Sequence, residues 1–122
     1  ADPVPEGAPA FVQQYHDYYK TERGYHARSL NSTDGWAITS NTGRLNDISL
    51  AYAEEIENAV MIVHGDAAHS YYMGRDTAAR LQGDNKQFLS IPGATHCDLY
   101  DGGGKDAIPF DEIQAFFEQY LA

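Results

Sequence analysis

The chain has 122 residues, enough for one domain with one core, and its 43% hydrophobic and 12% aromatic content is that of a globular protein. A formal net charge of −10 repels nucleic acid and anionic lipid surfaces, so neither a nucleic-acid nor a membrane partner is expected. The one cysteine, Cys97, excludes an intramolecular disulfide framework and a cysteine-rich zinc site, and no apolar run approaches the length of a membrane span.

Residues 1–9 read as an extended, proline-punctuated lead-in. They lack the basic and apolar regions of a signal peptide and fit a processed terminus, a linker or a cloning remnant equally. The compartment stays open, with the cytoplasm favoured for a soluble chain. In AFVQQYHDYYK, residues 10–20, Phe11, Val12, Tyr15, Tyr18 and Tyr19 recur at helical spacing and predict a helix ending near Gly24. Between Gly24 and Asn46 the periodicity dissolves among Gly, Asn, Ser and Thr, as in an irregular connection. WAITS, residues 36–40, fits a short strand or part of a helix. DISLAYAEEIENA, residues 47–59, predicts a short helix or turn capped by Asp47 or Ser49.

The second half is patterned more sharply. AVMIVHG, residues 59–65, is a continuous apolar run with β-branched residues, closed by Gly65, the signature of a buried parallel strand. Residues 71–82 suit an amphipathic helix with Tyr72, Ala79 and Leu81 among its apolar positions and Gly83 as its stop. KQFLSI, residues 86–91, is a second strand ended by Pro-Gly. A final helix over residues 108–122 carries Ile108, Ile113, Phe116, Phe117, Tyr120 and Leu121 on one face, with Pro109, Asp111 and Glu112 suiting its first turn. Strand, helix, strand, loop, helix predicts an α/β chain built on a right-handed parallel crossover. Two parallel strands need neighbours on their edges and helices on both faces, so an incomplete sheet, part of a larger one, is favoured over a small α+β domain.

The stretch MIVHGDAAHSYYMGRDTAARLQGDNKQFLSIPGATHCDLYD resembles the C-terminal portion of an α/β-hydrolase of the dienelactone-hydrolase-like or bacterial acyl-esterase type. The likeness covers residues 15–121, is strongest from Val60 to Asp101, and rests on the pairing of HG with PGATH about thirty residues later. The resemblance implies a serine hydrolase acting on an ester or related acyl bond through a catalytic triad. In it His96 is the general base, a neutral imidazole on a loop beyond the carboxyl end of the last strand. The position at which such enzymes carry the triad acid is here Ala68, a departure that leaves Asp66 as the candidate acid, with Asp98 and Asp101 read as loop supports. No G-x-S-x-G elbow occurs, so the resemblance implies a segment that supplies the base and is inactive alone. Its partners would be a missing N-terminal half or a second copy of the chain, together with a small-molecule ester or acyl substrate.

Two other readings compete. His64, Asp66, His69, His96 and Asp98 offer metal-ligand chemistries, but His64 and His69 straddle a strand end and no H-E-x-x-H is present, so neither metal nor other cofactor is expected. The second is a non-enzymatic α/β module whose unfilled strand edges pair with another chain or with its own copy. His69 and Ser70 are read as loop packing. The Gly-rich DGGGKD, residues 101–106, lacks P-loop spacing and reads as a flexible connector.

Overall fold

Two short runs with apolar centres, each closed by a turn signal, form β1 (Val60–Gly65) and β2 (Lys86–Ile91). They pair in parallel, in register from Val60 opposite Lys86 to Gly65 opposite Ile91. A parallel pair requires a long connection, and here helix α3 (Tyr71–Arg80) supplies it. The computed structural model describes residues 3–35, 37, 39–45, 47, 48 and 50–121. Trp36 and Ile38 of WAITS, the candidate cap Ser49 and the first two residues of the lead-in lie outside them.

The described residues divide into two compact units, Ala1–Ile48 and Ser49–Ala122. The first holds helix α1 (Ala10–Tyr19), which starts where its periodicity predicts but stops short of the expected end near Gly24, and a six-residue helix α2 (Ser40–Leu45). Ring contacts stack along α1, from Phe11 to Tyr15 at 6.1 Å and from Tyr15 to Tyr19 at 6.2 Å. Lys20 Nζ then donates to the carbonyls of Ser32 and Thr33, each at 3.0 Å, tying the helix end to the following turns. Helix α2 departs from the irregular connection read from the sequence, since SNTGRL carries no apolar periodicity.

The second unit opens with a 3₁₀ turn, Ala53–Glu55, where a short helix or turn was expected. Helix α3 ends at Arg80, short of Gly83, because Leu81 turns to extended backbone. Its inward face also differs from the predicted one. Tyr72 is 52% exposed, whereas Gly74 is buried and Tyr71, Thr77 and Ala78 are half-buried. Gly74 is required because a Cβ there would lie 2.7 Å from Cδ2 of His64, so the helix seats on that imidazole. After β2 come a short helix α4 (Asp98–Asp101), a 3₁₀ turn at Gly102–Gly104 and helix α5 (Phe110–Tyr120). The Gly-rich stretch is thus a formed turn rather than a loose connector, with Asp101 Oδ1 accepting the Gly103 N–H at 2.9 Å.

On α5 the apolar face is narrower than the sequence pattern suggests. Phe116 is buried and Ile113 and Tyr120 are half-buried, but Phe117 is 52% exposed and Leu121 77%. Residues 60–64 of β1 are only half-buried, with Gly65 alone buried, so the continuous apolar strand is not covered on both faces by the described residues. No other described strand borders the pair. The architecture is a mixed α/β arrangement with a two-stranded parallel sheet and flanking helices.

Unequal burial on α5 gives a direct test of this packing. Phe116→Ala should destabilise the chain by about 3 kcal/mol, the usual cost of emptying a buried aromatic site. Phe117→Ala, from the exposed neighbouring position, should stay within about 0.5 kcal/mol of wild type in the same urea titration.

Candidate functional site

Both strands end on the same side of the sheet, and the loops that follow them interlock. The Asp66 N–H donates to Ile91 O and the Ala67 N–H to Ala94 O, each at 3.1 Å. Gly65 makes this possible, since any Cβ there would collide with the Ala94 carbonyl. Ligand sites in parallel sheets form outside the carboxyl ends of the strands, and the histidines of interest gather there.

His96 is fixed from two sides. The run Thr95-His96-Cys97-Asp98 closes on itself through a reciprocal pair of bonds: Asp98 Oδ2 accepts the Thr95 N–H at 2.9 Å, and Thr95 Oγ1 accepts the Asp98 N–H at 3.3 Å. One turn on, Tyr100 lies four residues after His96 and its Oη approaches His96 Nε2 at 2.6 Å. Across the sheet end, Ser70 Oγ lies 3.3 Å from His96 Nδ1 and 3.5 Å from His64 Nε2. Ser70, at the start of α3, is buried. The His64 ring meets Tyr71 edge-on at 5.8 Å, and Tyr71 Oη donates to Ser90 Oγ of β2 at 3.0 Å. His69 stands exposed, its ring centroid 6.3 Å from that of His96.

This setting lowers the pKa of His96. Burial is the first cause, because desolvation penalises the imidazolium; the neighbouring His69 and then His64 add repulsion. The ring is therefore held toward its neutral form, the one able to accept a proton.

The other residues singled out from the sequence fall in distinct places. Asp66 is exposed and its Oδ1 accepts the Gly93 N–H at 2.6 Å, bracing the Pro-Gly turn. Ala68 is buried. Asp98 and Asp101 order the loop through backbone bonds, as read from the sequence. Among the described residues no group of three or more His, Cys, Asp or Glu side chains is arranged to hold a metal ion. None of the described helices is long and apolar enough to cross a membrane. Ser70 and Tyr100 were not singled out as partners of His96. Tyr100 carried a usable signal in its i+4 spacing from His96, whereas Ser70 becomes adjacent only through the β1–β2 pairing.

Comparison with known proteins places the chain beside two uncharacterized ones. It is 42% identical over 116 residues to the uncharacterized protein PA2218 of Pseudomonas aeruginosa, covering 94% of this chain and 30% of that protein. It is 27% identical over 112 residues to the uncharacterized protein YcjY of Escherichia coli, covering 90% of this chain and 35% of that one. The crystal structure of hypothetical protein PA2218 superposes with a TM-score of 0.86 at 39% identity, over 97% of this chain and 36% of that one. No family model matches. The chain spans about a third of the length of these relatives.

These matches overturn the resemblance drawn from the sequence. The chain is similar to proteins described only as uncharacterized, so the assignment to the α/β-hydrolases, with its labels of hydrolase, esterase, dienelactone-hydrolase-like enzyme and catalytic triad, is corrected. The geometry supplies a physical reason for the last of these. Asp66 Oδ1 braces a backbone turn, and the ring nitrogens of His96 meet the hydroxyls of Ser70 and Tyr100.

The lowered pKa of His96 makes stability depend on acidity in a defined direction. The unfolded chain binds the His96 proton at higher pH than the folded chain does, so acidification favours unfolding. The folded-state advantage is complete above the ordinary histidine range and is lost as pH falls through the lowered value. Urea midpoints measured across that interval should fall less steeply for His96→Gln than for wild type; parallel slopes would contradict the assignment.

Proposed function

We propose that this chain presents His96 as a general base in a site completed by polypeptide that pairs along the open edges of the β1–β2 sheet. The observation that carries the reading is the neutral imidazole held at the carboxyl ends of two parallel strands, with a hydroxyl at 2.6 Å from Nε2. That distance is within proton-transfer range. Tyr100 Oη marks where the hydroxyl of a substrate or of a reacting side chain would sit. Tyr100 is 43% exposed, so it can yield that position. The proton would pass from the incoming hydroxyl to His96 Nε2, leaving the oxygen a stronger nucleophile.

Completion by other polypeptide is supported by the sheet and by the relatives. Strand residues of β1 remain half-buried, and among the described strands β1 and β2 pair only with each other. The relatives extend over roughly three times the matched length, which leaves room for further strands. Such polypeptide would come from sequence beyond these 122 residues or from a second copy of the chain. By itself the chain would bind and orient but not turn over substrate.

Acylation by diethyl pyrocarbonate, which attacks only unprotonated imidazole, tests the base directly. Peptide mapping should show slow modification of His96 in the wild type, faster modification in Tyr100→Phe, and no adduct at position 96 in His96→Gln. A His96 that stays unmodified in both the wild type and Tyr100→Phe, while exposed His69 reacts, would sink the reading. Self-association in sedimentation experiments combined with an inert His96 would favour a purely interacting module.

A further inference from the structure

We infer that His64 and Ser70 are positioning residues that dictate which nitrogen of His96 carries its proton. The argument starts from a group with no choice. The backbone carbonyl of Gly65 can only accept, and His64 Nδ1 lies 3.2 Å from it, so His64 Nδ1 carries the hydrogen and donates. Neutral His64 then has a bare Nε2, which can only accept. The Ser70 hydroxyl, 3.5 Å away, donates to it. A hydroxyl has one hydrogen, so Ser70 Oγ meets His96 Nδ1 at 3.3 Å as an acceptor, and Nδ1 of His96 must be the protonated nitrogen. Nε2 of His96 is left with its lone pair, into which Tyr100 Oη donates at 2.6 Å. Every donor in the series meets an acceptor, and the order follows from a single main-chain oxygen.

The anchoring end is built to stay in place. Gly74 lets α3 press against the His64 ring, and Tyr71 meets that ring edge-on. Ser70 is buried where the strand-end loops meet, so its hydroxyl is not freely exchanged for water. Hydroxyl and imidazole thereby do the orienting that a carboxylate does in many histidine bases, without adding a negative charge that would favour the imidazolium. This inference rests on the reading of His96 as a base, because the tautomer it sets is the one that points the lone pair of Nε2 at an incoming hydroxyl.

Nitrogen-15 correlation spectra of the histidine rings, recorded above their titration range on the whole 122-residue chain, distinguish the two tautomers. Wild-type His96 should be in the Nδ1–H form. Ser70→Ala should shift it toward the Nε2–H form that predominates in free histidine, and Ser70→Thr, which keeps the hydroxyl, should retain Nδ1–H. His64→Phe keeps an aromatic ring against Tyr71 but removes the acceptor, freeing Ser70 to donate to His96, so its Nδ1–H fraction should also fall. Backbone amide spectra confirm that each variant is folded, and His64→Phe decides the matter if Ser70→Ala is not. An Nε2–H tautomer in the wild type, or unchanged tautomers in the folded variants, would overturn the inference. The ring spectra do not depend on reactivity toward pyrocarbonate. A reactive His96 with the other tautomer removes only the relay, whereas an inert His96 with the expected tautomer removes only the base.

Discussion

The parallel pairing of β1 with β2 is the constraint on which the site depends. It sets Gly65 opposite Ile91, and the bonds from Asp66 and Ala67 to Ile91 and Ala94 continue that register into the loops. Ser70 and His96, twenty-six residues apart, meet only because these two strand ends are level. A slip of one residue would reverse the side chains of a whole strand and separate the two. Gly65 and Gly74 serve the same alignment by removing side chains where backbone and imidazole come close.

Given that alignment, the protonation of the site follows from burial and from neighbouring imidazoles. Carboxylates are plentiful in this acidic chain, yet Asp66, Asp98 and Asp101 are engaged with backbone N–H groups and shape turns. His96 meets the hydroxyls of Ser70 and Tyr100 and lies near His69 and His64, and burial and repulsion both favour its neutral form. The reciprocal bonds between Thr95 and Asp98 hold His96 and Cys97 between them, and Tyr100 follows one turn later. A base stabilised in this way is oriented by neutral groups, and its lone pair is directed rather than merely available.

Much of the second unit was legible in the sequence because its elements are locally determined. Residues 86–91 form a strand with the predicted limits, and residues 60–65 do so within one residue, since short apolar runs with Gly or Pro-Gly stops leave few alternatives. Helix faces were less legible. Phe117 and Leu121 share the apolar spacing of α5 but find no cover among the described residues, and Tyr72 yields to Gly74 on the face of α3. Helix α2 has no periodicity to reveal it. The HG…PGATH pattern misled for a physical reason: Gly65 answers a close approach by Ala94, and Gly93 follows Pro92 in a turn at φ 69°. Those residues report how two strand-end loops pack, which many functions can share.

Hydrogen exchange at the strand ends tests the central claim, that strand pairing and the site form one cooperative unit. The amides of Asp66 and Ala67 should open with the same free energy as the ladder amides of β1 and β2, because the bonds they make continue the ladder. Exchange of those two amides at the rate of an open loop, while the ladder stays protected, would show that the loops move independently of the sheet. The site would then not be built by the pairing.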